Sequence, residues 1–180
     1  NKSVFSNTVN VTIPEEVSII PTFTNVQSGI TTVSPGVINI AGGGENRAAV
    51  SDEFLVGDGY LEFGANTLGD LAFAFDDNGS LTSHTTPYNF THYAIISKSA
   101  SAIFVAQRGG TSLTSVGDLT GILKFRLERI SGVIKLKKTT DGINFIDLHT
   151  YTNNTTANLW VKLAVVSSIQ ARTEYLTLVS

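Results

Sequence analysis

The run Ile122–Tyr151, ILKFRLERISGVIKLKKTTDGINFIDLHTY, can be read as β-strands and not as helix. Within Ile122–Ile130, Leu123, Phe125 and Leu127 fall on one side, and Lys124, Arg126 and Glu128 on the other. This alternation has the period of two of a half-buried strand, and no 3.6-residue period competes with it. Ser131-Gly132 reads as a two-residue turn, after which Val133–Lys138 alternates again with Ile134 and Leu136 inward. Thr139-Thr140-Asp141-Gly142 makes a second turn, where glycine accepts a positive φ. Phe145–Tyr151 is the third strand.

The rest of the chain repeats this grammar. Ala48–Val56 and Tyr60–Phe63 flank the turn Gly57-Asp58-Gly59. Asp70–Phe75 is nearly all apolar, as a strand buried on both faces would be, and Asp76-Asp77-Asn78-Gly79 ends it in a turn. His92–Lys98 and Ala102–Gln107 form a further pair; Leu159–Val166, with Trp160, and Thr173–Val179 close the chain. About eleven or twelve strands at spacings of roughly 8–12 residues predict a sandwich or barrel. No internal repeat points to a propeller or solenoid. The fold class is therefore all-β, a two-sheet antiparallel β-sandwich of jelly-roll type. Residues 1–20, rich in Thr, Val and Asn and broken by Pro14, read as an N-terminal arm or linker, and residues 21–180 as one sandwich domain. With no methionine anywhere, the sequence is expected to be an excised or processed part of a longer chain with neighbouring domains.

Charged residues are only 15% of the 180, below the ~25% of an average domain, and Ser, Thr, Asn and Gly take their place. That style suits extracellular, cell-surface or virion β-proteins. The net charge of −3 and the lack of a basic patch beyond Lys135–Lys138 argue against nucleic acid. No apolar run approaches the ~20 residues of a membrane helix, so membrane insertion is not expected. The absence of cysteine removes disulfides, thiolate metal sites and thiol nucleophiles.

Catalysis finds little support. No serine sits in a G-x-S-x-G elbow. Glycoside hydrolysis needs two carboxyl groups facing one another, and no E-x-D-x-E array exists. Asp52 and Glu53 are adjacent, which on a regular strand points them to opposite faces. The chain is read as a non-enzyme. A weak Ca2+ site is conceivable at Asp76, Asp77 and Asn78, which cluster oxygen donors before Gly79 without the spacing of an EF-hand; no other cofactor is expected. Saccharide recognition combines an aromatic platform with amide, carboxylate or guanidinium partners. The segment SLTSHTTPYNFTHY supplies that mixture in His84, Tyr88, Asn89, Phe90 and His92, with Arg108 as a further candidate beside Tyr60, Tyr151 and Trp160.

From Glu62 to Tyr151 the order of elements resembles the concanavalin A-like lectin/glucanase superfamily, in the form found in bacterial surface adhesins and phage fibre proteins. YLEFG precedes LAFAFDDNGS, then HYAIISK and AIFVAQRGG, then Gly117-Asp118 before the alternating run. The resemblance implies a jelly roll with a concave face, frequently used to bind glycans. It carries no ligand residues onto this chain, which lacks both the carboxylate array of the glucanases and the metal cluster of the lectins. The expectation is a non-catalytic surface recognition module for a cell-surface glycan or polysaccharide. The alternative is a structural spacer, fibre or capsid-decorating domain that assembles as a homo-oligomer.

Overall fold

Parity governs how the alternating run folds. Phe125, Leu127, Ile134 and Leu136 are buried between two sheets, while Lys124, Arg126, Lys135 and Lys137 share the opposite face in an ion-pair network. The computed structural model describes residues 17–26, 30–34, 37–40, 47–64, 71–80, 93–98, 102–107, 113–165, 171–173 and 177–180. Every regular element among them is a strand.

One sheet has six strands, in the order β1 (Ser18–Ile19), β16 (Thr177–Val179), β6 (Gly59–Gly64), β11 (Lys124–Ile130), β12 (Val133–Thr139) and β13 (Ile146–Thr150). The other has seven: β10 (Thr114–Gly117), β9 (Ala102–Gln107), β8 (Tyr93–Lys98), β7 (Leu71–Asp76), β14 (Leu159–Val165), β5 (Arg47–Leu55) and β2 (Asn25–Val26). A third, small sheet orders β15 (Ala171–Thr173), β4 (Val37–Ile40) and β3 (Ile30–Ser34). All pairings are antiparallel. The strands beyond the expected eleven or twelve include two- and three-residue pieces such as β1, β2 and β15, too short to show a period in sequence. β1 pairs with β16, and Val17 and Ser180 exchange backbone hydrogen bonds of 3.2 and 3.1 Å, so the sandwich takes in residues that the 1–20 arm was expected to hold.

The two large sheets meet over a core of aliphatic and aromatic side chains. Phe63 on β6 stacks on Phe73 of β7 at 4.2 Å and lies 5.7 Å from Phe125 of β11, joining one sheet to the other. Each such buried side chain contributes roughly 1.5–3 kcal/mol relative to exposure. Ser131 (φ 50°) and Gly132 (φ 82°) form the tight turn between β11 and β12. Two positive φ values in succession match a type I′ hairpin turn, whose twist suits the flanking strands.

The turn after β12 is organised by one carboxylate. Asp141 accepts hydrogen bonds from the Thr139 hydroxyl, the Ile143 and Asn144 N–H groups and the Asn144 carboxamide, all at 2.7–2.9 Å. The Asn144 carboxamide first, and the other donors with it, hold its pKa well below the usual carboxylate range. A carboxylate depressed in the folded state stabilises the fold above its unfolded pKa, near ~4, and loses that contribution as pH falls toward the folded value. Urea denaturation at several pH values is therefore expected to show the wild type losing stability more steeply below about pH 4 than Asp141→Asn. Parallel curves would contradict that role.

Three local readings are corrected. Leu123 precedes β11 and is 54% exposed rather than inward, because the strand begins only at Lys124. Glu128, on the side that the alternation leaves to solvent, is instead buried between the Lys137 ammonium and the Arg126 guanidinium. Arg126 itself lies between the rings of Tyr60 and Phe145, at 3.9 and 4.0 Å, and ion-pairs with Glu62. Asp52 and Glu53 do not diverge. Between the pairs Val50↔Lys162 and Phe54↔Trp160, β5 has three residues where β14 has one. This bulge turns both carboxylates toward Thr22, whose hydroxyl lies 3.0 Å from Asp52 Oδ2 and 2.8 Å from Glu53 Oε1.

Candidate functional site: the loop-bearing end

Five connections leave the sandwich at one end: 56–58 between β5 and β6, 77–92 between β7 and β8, 108–113 between β9 and β10, 131–132 between β11 and β12, and 151–158 between β13 and β14. The antiparallel register requires this, since Asp76, Tyr93, Gln107 and Trp160 all lie at the same ends of paired strands. The candidates His84, Tyr88, Asn89, Phe90, His92 and Arg108 belong to two of these connections and lie outside the described residues.

The described part of this end is cross-braced. Arg129 follows the parity of Phe125 and Leu127 and so points inward, where it is 1% exposed. Its guanidinium donates to the backbone carbonyls of Gly57 and Ala157, and to Leu55 O at 3.4 Å. Burial lowers its pKa, opposed by the field of Asp58. Asp58 in turn accepts the Ser131 N–H at 2.8 Å. Tyr93 donates its hydroxyl to Asn153 O at 2.9 Å, and Tyr151 donates to Ala94 O at 2.7 Å. Burial pushes both phenols up, Tyr151 well beyond its ordinary range; for Tyr93 the Asp77 charge adds to it. Gln107 Oε1 accepts from the Thr152 hydroxyl at 3.1 Å. Two sheets and three connections thus share one hydrogen-bonded frame.

The outer face of the seven-stranded sheet is not an open groove where it is described. Ala48, Ala72, Ala74, Ala94 and Ala106 point away from the main core, yet all are 5% exposed or less. Small side chains of this kind allow a covering layer to approach closely, which the apolar pattern of Asp70–Phe75 already suggested. Exposed apolar side chains are present at the loop-bearing end. Phe54 is 40% exposed, with its ring 5.0 Å from that of Trp160, and Val56 is 61% exposed. The same end also exposes the amides, hydroxyls and carboxylate of Asp77, Asn78, Ser80, Thr152, Asn153, Asn154 and Asn158.

Trp160 packs against the turn that follows β7. A Cβ added to Gly79 would come within 2.7 Å of the indole, so only glycine lets the turn 77–80 lie against the ring. Asp76, expected as a cation ligand, is 2% exposed and ion-paired with Lys162 at 3.1 Å, while Asp77 and Asn78 are exposed. Of the other candidates, Tyr60 packs on Arg126 of the neighbouring strand β11 in the six-stranded sheet, and Tyr151 is buried in the core. His149 is half-buried against the Tyr151 ring, and burial lowers its pKa. Sequence reasoning passed over Phe54, Arg129 and Lys162. Parity alone could have placed Arg129 inward with Phe125 and Leu127, and Lys162 on the outer face with Trp160.

No family model matches the sequence, and no curated protein matches it. Solved structures do. The PSpry domain of TRIM65 matches with a TM-score of 0.64 at 10% identity, over 87% of this chain and 90% of that one. The exoplasmic/lumenal domain of VIP36 in its Ca2+/Man3GlcNAc-bound form matches at 0.60 and 10% identity, over 91% of this chain and 87% of that one. The legume lectin-like domain from Entamoeba histolytica matches at 0.56 and 7% identity, over 92% and 89%. At such identities the likeness concerns the fold, and the fold of this chain is the concanavalin A-like, lectin-like β-sandwich.

Proposed function

We propose that this domain is a non-catalytic recognition module for carbohydrate, acting through its loop-bearing end as part of a larger surface adhesin or fibre protein outside the cell. The observation that carries the reading is the exposed Phe54 ring, backed by Trp160, at a braced end that also exposes amide and hydroxyl side chains. A pyranose offers an apolar C–H face to a ring and hydroxyls to neighbouring amides, so this mixture suits it. The frame lowers the ordering cost of binding, because the groups that hold the loops are already paired. A similar fold in VIP36 holds Man3GlcNAc, which supports a saccharide as the ligand class. Asp52 and Glu53 converge on Thr22, hydrogen-bonded to it, and this supports no acid–base role.

A glycan array probed with the wild type and with Phe54→Ala, His84→Ala, Tyr88→Ala and Phe90→Ala tests the reading. Phe54→Ala is expected to weaken the strongest wild-type signal about tenfold, the order expected for one stacked aromatic of ~1–1.5 kcal/mol. No binding by the wild type, or binding indifferent to every variant, would sink it.

A further inference from the structure

VIP36 domains similar to this one have been solved in Ca2+-bound forms, and the turn Asp76–Ser80 contains oxygens of the kind such an ion takes: a carboxylate, a carboxamide and a backbone carbonyl. Here those oxygens are already engaged. Lys162 Nζ lies 3.1 Å from Asp76 Oδ2 and 3.4 Å from Ser80 O. Asp76 Oδ1 accepts the Asn78 N–H at 2.8 Å, and Asn78 Oδ1 accepts the Ser80 N–H at 3.0 Å. The Asp76 and Lys162 side chains are 3% and 1% exposed. A divalent ion on Asp76 would bring two further positive charges against a buried ammonium, at a separation where repulsion in a low-dielectric site is severe. Among the described residues, no group of three or more His, Asp or Glu is arranged to hold a metal ion. The residues of this turn do not fit calcium.

We propose that the Lys162 ammonium is the built-in cation of this turn. It gathers a carboxylate and a backbone carbonyl, the same donor types a calcium ion would gather, and holds Gly79 against Trp160 without metal. Because it is part of β14, the brace is present whatever the calcium concentration. Phe54, which rests on Trp160, is then positioned independently of metal. The inference concerns the turn and stands apart from the carbohydrate reading, so its test uses no glycan.

Trp160 is the single tryptophan of the chain, so its fluorescence reports on this turn alone. Wild-type emission and melting temperature are expected to be unchanged between millimolar Ca2+ and excess EDTA. Lys162→Ala is expected to melt several degrees lower with red-shifted emission, and Ca2+ or methylammonium should reverse part of both changes. If Lys162→Ala does not fold, the neutral pair Asp76→Asn with Lys162→Met is the second variant, expected to be calcium-blind and red-shifted. Wild-type emission that responds to Ca2+ or EDTA would overturn the proposal. So would Trp160 emission that is the same in the wild type and in either variant.

Discussion

Arg129→Met is expected to cost the fold ~3–5 kcal/mol, seen as a lower denaturant midpoint at an unchanged slope. The size follows from what the guanidinium does. It donates to the carbonyls of Gly57, Ala157 and Leu55, which belong to two different connections and the end of β5. A hydrogen bond from a charged donor is worth about 1.5–3 kcal/mol, and removing the donor leaves buried acceptors without it. Methionine fills much of the same volume, so the loss reports on hydrogen bonds rather than on a cavity. Lys at this position should recover only a part, because an ammonium lacks the planar fork that reaches three separate acceptors. A loss below ~1 kcal/mol would show that the loop-bearing end does not depend on this brace.

The second large effect concerns Asp76 and Lys162. Removing one member leaves an uncompensated charge in a site with 1–3% exposure, so Lys162→Met is expected to destabilise by ~3–5 kcal/mol. Removing both charges should be far milder. The double variant Asp76→Asn with Lys162→Met is expected to regain most of that loss, since neutral replacements of buried ion pairs are often tolerated. The coupling energy of the double-mutant cycle is the quantity to measure, and a value near zero would mean the two side chains do not act as a pair.

The scaffold was the legible part of this sequence, because its signals are local. The alternation of Lys124–Lys138 and the turns at Ser131-Gly132 and Asp141-Gly142 depend on neighbours within a few residues, and the pairings β11–β12 and β12–β13 follow from them. What escaped depends on contacts between distant segments. The bulge in β5 changes the direction of Asp52 and Glu53, and no residue type announced it. Glu128 reads as a solvent-facing charge until Tyr60 and Phe145 close over Arg126 beside it. Asp76 reads as half of a cation site because its partner is on a strand 86 residues later. Phe54 looks like a core residue of an apolar strand, yet it keeps the parity of the outward Ala48, which the bulge leaves unchanged, and its ring lies on the outer face beside Trp160.

Hydrogen–deuterium exchange of the wild type, with and without the strongest glycan from the array, tests the site most directly. Protection is expected in the peptides spanning 52–58, 77–92 and 152–160. Protection confined instead to the outer face around Arg126, Lys135 and Asp147, with the loop-bearing end unchanged, would contradict it.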